Sequence, residues 1–306
     1  MVTAAAAVEY PTKPITLIVP SVAGGAADMG GRLIASELSK QMGQQVVVDN
    51  RGGASGIISS ELIAKAVPDG YTFGMATFTF VTNPSVFAKL PYDTVKDFQP
   101  VISQSSNGNF LTVAPGLPVR SVQELADYAR AQPGKLSYGG TGRGSSSQLS
   151  IELFKIMTGT QIMLASYKGM QQAITDMIAG QVHIVCENAA SILPHIREGR
   201  LRALGFTMLK RSTSAPDVPT IAESGLPGYE METSTGYVLP ARTPREIVLR
   251  LNAEINKSLI APAVSEKLLA NGAVIRGGTP EQFTEFLRHE TEKWGKVIKA
   301  AGIKPQ

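Results

Sequence analysis

Residues 15–32 read ITLIVPSVAGGAADMGGR, and the rest of the chain is best understood from this stretch outward. A β-branched run, Ile15 to Val19, feeds through Pro20 and a pair of glycines into a helical pattern with Ile34, Leu38 and Met42 at i, i+4, i+8. A strand that turns through glycines into a helix leaves the helix's first N–H groups without carbonyl partners. The helix dipole adds positive potential there, so a nucleotide phosphate, a catalytic oxyanion and a free carboxylate all suit the place.

The nucleotide motifs fail on their chemistry. Gly25 and Gly30 have P-loop spacing, but Gly31 and Arg32 stand where the phosphate-binding Lys and the magnesium-binding Ser or Thr belong. The run Gly24-Gly25-Ala26-Ala27-Asp28-Met29 lacks the spaced glycines of a dinucleotide fingerprint, although Asp49 ends the second strand where a ribose-binding acid would sit. A nucleophile elbow needs G-x-S-x-G; Gly144-Ser145-Ser146-Ser147-Gln148 has no closing glycine, and Ser55 stands next to its own closing glycine, Gly56. Of the three histidines, His183 alternates with Val182 and Ile184 and reads as a core residue; His183, Cys186 and His195 match no metal spacing. Neither a cofactor nor a metal is expected. A nicotinamide-dependent oxidoreductase on the first βαβ unit, or a hydrolase using a loop serine, stands as the alternative reading, and a structural or adhesive module as a third.

Outward from the first strand, β-branched runs alternate with helical patterns, the signature of an α/β fold. Gln45 to Asp49 reads as the second strand, Ile58, Leu62 and Ala66 as one face of the next helix, and Tyr71 to Thr77 as the third strand. Beyond residue 101 a second α/β block is expected. It holds a helix opened by Ser121 with Glu124, the strand Leu136 to Gly140, a helix carrying Leu149, Leu153 and Met157, and another carrying Met170, Ala173, Ile174, Met177 and Ile178. Glu232 to Pro240 reads as an extended return. Two closing helices open alike, at Thr243-Pro244-x-Glu246 and Thr279-Pro280-x-Gln282.

The totals agree with such a fold. The chain has 306 residues, 43% hydrophobic and 18% charged, ordinary globular composition with ample core. No apolar run approaches the roughly 20 residues that span a bilayer. The net charge of +4 is scattered and only 6% of residues are aromatic, so nucleic acid is not expected as a partner. One cysteine, Cys186, excludes an internal disulfide. The Ala-rich start, Met1 to Tyr10, is read as the remnant of a secretory signal with the rest removed.

A second glycine-rich strand-to-helix turn, Gly139 to Ser147, converts one anion site into half of a clamp. The expected architecture is two lobes, residues 1–101 with 233–306 and residues 102–232, each a mainly parallel sheet flanked by helices, with the C-terminal helix free to pack across both. A ligand cleft closed by hinge motion lies between them.

Further markers run through nearly the whole chain from Tyr10. They include Tyr10-Pro11-x-Lys13-Pro14-Ile15, Gly24-Gly25 with Asp28, Val48-Asp49-Asn50-Arg51-x-Gly53-Ala54-x-Gly56, Pro68-Asp69-Gly70-Tyr71-Thr72, Pro91-Tyr92-Asp93, Tyr167-Lys168-Gly169 and Ala179-Gly180-Gln181-Val182. In these the chain resembles the substrate-binding proteins of tripartite tricarboxylate transporters, the Bordetella uptake gene (Bug) receptors. The resemblance implies a secreted periplasmic receptor with a Venus-flytrap fold and no catalysis. Such a receptor binds a small organic carboxylate and hands it to membrane permease subunits, without itself inserting into the membrane.

Carried over by position, the resemblance points to Ser21, Val22, Ala23, Gly24, Gly25, Ala26, Ala27 and Asp28 in the first loop and to Thr77, Phe78 and Thr79 after the third strand. In the second lobe it points to Thr141, Gly142, Gly144, Ser145, Ser146 and Gln148, and to Tyr167, Lys168, Gly169 and Asp176. Asp28 is expected to cap the first helix and order the loop. The chain departs from the family pattern at Ser21, Ala27 and Gln148, and Phe78 and Phe80 flank Thr79 in what reads as a loop. Space gained at Ser21 with aromatics at 78 and 80 implies a ligand bulkier than a simple amino diacid, an aromatic acid among the candidates.

Overall fold

A computed structural model describes residues 9–306; the Ala-rich start through Val8, read as a signal remnant, lies outside the described residues. The elements follow as β1 (Ile15–Val19), α1 (Ala26–Met42), β2 (Val46–Asn50), α2 (Ile57–Ala64), β3 (Thr72–Ala76), α3 (Phe78–Val86), β4 (Phe98–Asn107) and β5 (Asn109–Val113). Next come α4 (Val122–Ala131), β6 (Ser137–Thr141), α5 (Ser146–Thr158), β7 (Met163–Tyr167), α6 (Met170–Ile178), β8 (Ile184–Asn188), α7 (Ala189–Arg197) and β9 (Arg202–Phe206). The last are β10 (Thr233–Pro240), α8 (Arg245–Ile260), α9 (Pro262–Ala270), β11 (Val274–Gly277) and α10 (Pro280–Ala300).

They form two sheets, ordered β11-β4-β10-β3-β1-β2 and β7-β6-β8-β5-β9, with helices against them. The expected parallel character holds for β2-β1-β3 and for β7-β6-β8. The other pairings are antiparallel, so both sheets are mixed: the strands nearest the crossings between sheets run against their neighbours.

The chain leaves the first sheet at Gly108 and re-enters it at Thr233, and the two crossings are stitched side by side. Thr233 Oγ1 donates to the Asn107 carbonyl at 3.1 Å, and the Asn109 N–H to Thr207 Oγ1 at 2.8 Å. A Cβ at Gly108 would lie 2.4 Å from Phe206 Cζ, so only glycine lets the first crossing pass beneath that ring. The first sheet therefore keeps β4 to Asn107, six residues past the break read from the sequence at 101.

Strand β1 is buried almost throughout, as expected of a central parallel strand covered on both faces. On α1 the periodic residues Ile34, Leu38 and Met42 are buried, as are Ala173, Ile174 and Met177 on α6. The expected face of α2 is overturned: Ile58 and Leu62 are 45% and 42% exposed, and Ile63 is buried. The reason is a contact between elements, Ile63 seated over Gly74 of β3, where any Cβ would collide with it.

The two Thr-Pro openings also diverge. Thr279 accepts from the Gln282 N–H and Gln282 Oε1 from the Thr279 N–H, a full capping box on α10. Thr243 instead donates its hydroxyl to the Pro240 carbonyl at 2.8 Å and caps nothing; α8 begins at Arg245. Helix α10 buries Phe283, Leu287, Trp294 and Ile298, and it packs on α3 beside the first sheet and on α5 beside the second. The Arg143 guanidinium donates to the Lys304 carbonyl at 2.7 Å, tying the second glycine loop to the chain's end.

Candidate functional site

At the end of β1 the backbone turns at Gly24, whose φ of +81° favours glycine, and Gly25 becomes the N-cap of α1 with no side-chain cap. The first N–H groups of the helix, from Ala26 and Ala27, thus stand open at the sheet's carboxyl edge. Val22, Ala23 and Gly24 are exposed. Asp28 orders this loop, but not as the helix cap. It is the third helical residue, 2% exposed, and its Oδ2 accepts the Gly24 N–H at 2.8 Å. Arg32 Nε at 3.0 Å and Asn50 Nδ2 at 2.9 Å complete its shell, and Asn50 also donates to the Ser21 carbonyl. The Arg32 guanidinium above all, with the Gly24 N–H and the Asn50 amide, holds the carboxyl down at about 2.

At the end of β3, Thr77 is the N-cap of α3 and its Oγ1 lies 3.3 Å from Thr79 Oγ1. Residues 77–80 are thus a strand end and a helix start, not an open loop. Phe78, expected among the ligand residues, and Phe80, which the sequence leaves open between ligand and core, both point inward. They are 7% and 4% exposed, Phe78 edge-on to Trp294 at 5.2 Å and Phe80 edge-on to Phe98 at 4.9 Å. Helix α3 is covered on two sides, Phe78 by α10 and Phe80 by β4, which leaves Thr77 and Thr79 half-buried at the strand's end. The aromatic-ligand expectation loses its ground with them.

A turn through Gly53 to Gly56 joins the two termini. All four residues have positive φ, including Ala54 at +46° and Ser55 at +53°, a strained left-handed turn held by the Asn83 amide on the Ser55 carbonyl at 3.0 Å. A Cβ at Gly56 would lie 3.4 Å from Thr79 Oγ1 and 3.6 Å from the Pro20 ring. The end of β1 and the start of α3 are therefore neighbours across this glycine.

In the second sheet Ser145 caps α5, accepting the Gln148 N–H at 3.3 Å, while Gln148 Oε1 accepts the Gly144 N–H at 2.9 Å. Gln148, expected to touch ligand, is thereby occupied in shaping its own loop and is 6% exposed. The loop is drawn against α3: the Thr82 hydroxyl donates to the Gly144 carbonyl at 3.1 Å. Thr141, Gly142 and Ser146 lie on the same turn at the end of β6. Replacing Ser145 with Ala should cost about 1 kcal/mol of unfolding free energy, read by urea denaturation. Tyr167 donates its hydroxyl to Asp176 Oδ2 at 2.8 Å; burial first, then the bonded carboxylate, pushes that phenol up. Lys168 is exposed, and Gly169 is the N-cap of α6. His183 is not a strand residue; its Nδ1 meets the Ser137 N–H at 3.1 Å and hydroxyl at 3.0 Å.

A cavity of about 280 Å³ opens between the two sheets beside α1. Ala26, Ala27 and Gly30 of α1, Gln104 and Asn107 of β4, Thr235 of β10, and Asn188 and Ala190 at the β8–α7 junction line it, and none of its lining side chains is charged. Of the residues singled out from the sequence, only Ala26 and Ala27 reach this wall. Asn188, which was missed, caps α7 by accepting the Ser191 N–H at 3.2 Å, and an Asn after a strand is a signal that would have found it. Gln104 carries no such signal.

The model of the tripartite tricarboxylate transporter family receptor matches residues 31–303 of the chain. A protein of the tcbD–tcbE intergenic region of a Pseudomonas species is 40% identical over 290 residues, covering 94% of this chain and 86% of that one. Among solved structures, an R. palustris protein with adipate superimposes with a TM-score of 0.85 at 40% identity, over 97% of this chain and 100% of its own. MatC from Rhodopseudomonas palustris with bound malate has a TM-score of 0.80 at 30% identity, over 94% of this chain and 100% of its own.

Proposed function

Because this chain belongs to the tripartite tricarboxylate transporter receptor family, we propose that it is a periplasmic receptor for a small organic mono- or dicarboxylate, which it delivers to membrane permease subunits. The observation that carries the reading is the uncapped start of α1 at the carboxyl end of β1, beside a cavity lined by uncharged amide, hydroxyl and apolar side chains. Backbone N–H groups and helix dipoles bind a carboxylate without a cation and without chemistry. In this reading the ligand carboxylate sits on the Ala26 and Ala27 N–H groups, with the Thr77 and Thr79 hydroxyls at its flank and Ser145 and Ser146 on the facing turn. Loop residues Ser21 to Gly25 close over it, and Tyr167, Lys168 and Gly169 border the entrance. The paired strands β4 and β10 serve as the hinge between lobes. The adipate and malate seen in structural neighbours support an aliphatic acid.

No described helix is long and apolar enough to cross a membrane.

Binding to the folded state alone stabilises it by RT ln(1 + [L]/Kd), about 2.7 kcal/mol at a hundredfold excess over Kd. A thermal-shift panel of aliphatic mono- and dicarboxylates should contain at least one acid that raises the melting temperature in this concentration-dependent way. A panel with none would overturn the reading.

A further inference from the structure

We infer that Gln104 receives the far end of the ligand, its side-chain amide nitrogen donating to an oxygen about one helical turn away from the carboxylate held at the start of α1. The inference rests on the receptor reading above and adds to it the length and end group of the ligand.

The β4–β10 register singles Gln104 out. Thr235 pairs with Ser105 and Gly236 with Ser103, so Gln104 is an extra residue without a partner on β10. Such a bulge re-aims a side chain out of the ordinary alternation. Here it sends Gln104 to the cavity wall, where the residue is 2% exposed. Its Oε1 accepts the hydroxyl of the fully buried Tyr237, which needs an acceptor and so sets the orientation of the amide. Two N–H donors are left on Nε2, and no described group accepts from them. The amide nitrogen faces the cavity, where a ligand oxygen can take these donors in place of solvent.

Gly30 supplies the room. Glycine inside a helix is destabilising relative to alanine, yet a Cβ here would stand 3.1 Å from Gln104 Nε2 and crowd the amide. Ala26 and Gly30 are four residues apart on α1, which is about 6 Å along the axis. Leu33, Met75 and Leu268 add apolar wall to the same cavity. A carboxylate at Ala26 and Ala27, an aliphatic middle and an acceptor oxygen at Gln104 describe an unbranched diacid, or an acid with a distal carbonyl, longer than a four-carbon one.

Titration calorimetry with succinate, glutarate, adipate and pimelate, and with hexanoate as the acid lacking the distal oxygen, tests this on the whole chain. The unaltered protein should prefer one of the longer diacids over hexanoate by about tenfold or more. Gln104→Glu keeps an oxygen for Tyr237 but puts negative charge where the donors were; diacid affinity should fall by about 100-fold and hexanoate affinity by less than about threefold. Gln104→Met, neutral and of similar size, should abolish the preference for diacid over hexanoate. Diacid binding unchanged in both variants would overturn the inference alone. Failure of the unaltered protein to bind any of these five acids would overturn this inference, while the receptor reading falls only if the wider carboxylate panel also gives no binder.

Discussion

Trp294→Ala should lower the unfolding free energy by about 4 kcal/mol, the largest effect expected of a single truncation in this chain. The indole is fully buried on α10, and its Nε1 donates to Glu290 Oε2 at 2.8 Å. Its ring meets Phe78, the first residue of α3, edge-on at an interplanar angle of 79°. Truncation opens a void and also takes a donor from Glu290, itself only 4% exposed. Trp294→Phe should recover most of the packing and lose about 1–2 kcal/mol through the missing hydrogen bond. Because Trp294 is the chain's one tryptophan, unfolding is followed by circular dichroism. A loss under about 1 kcal/mol in Trp294→Ala would mean that α10 does not clamp the start of α3.

Asp28→Ala should cost about 2–3 kcal/mol, since it leaves the Gly24 N–H, the Asn50 amide and the Arg32 guanidinium without their shared acceptor. Carboxylate affinity should fall about tenfold or more with it, as Gly24 and Gly25 are freed from the geometry that opens the α1 N–H groups. The pH dependence carries a sign. The folded carboxyl titrates at about 2 against an ordinary 3.8, so it stabilises the fold above the unfolded value and loses that contribution as pH falls from about 4 to about 2. Urea unfolding across that window should show a shallower acid limb in Asp28→Asn than in the unaltered chain. Parallel limbs would remove Asp28 from the loop's support.

Much of the fold is legible in the sequence because its signals are local. A β-branched run, a Gly-Gly bend and the spacing of Ile34, Leu38 and Met42 specify strand, turn and amphipathic helix within 28 residues. The Thr279–Gln282 box closes within one helical turn, and the Ala173, Ile174, Met177 stripe within two. Where a cap fails, a nearby competitor has won. Thr243 finds the Pro240 carbonyl; Ser121 keeps its cap on the Glu124 N–H, but the return half of that box is lost because Glu124 accepts the Arg120 N–H at 2.7 Å.

By itself, the sequence determined that two glycine-rich turns lead from a strand into a helix, and that the Lys and spaced glycines of nucleotide sites are absent. Those are properties of residue identity and spacing along one turn of backbone. Only the tertiary structure decided which side chains stand beside the turns. Phe78 went to the core against Trp294 of α10 and Phe80 against Phe98 of β4, and Ile63, not Ile58, went inward because Gly74 of a separate strand makes room for it. Gln104 reached the cavity because β4 bulges against a strand more than a hundred residues away. Register and packing between distant segments are set by the mutual fit of surfaces, and no window of sequence contains both partners.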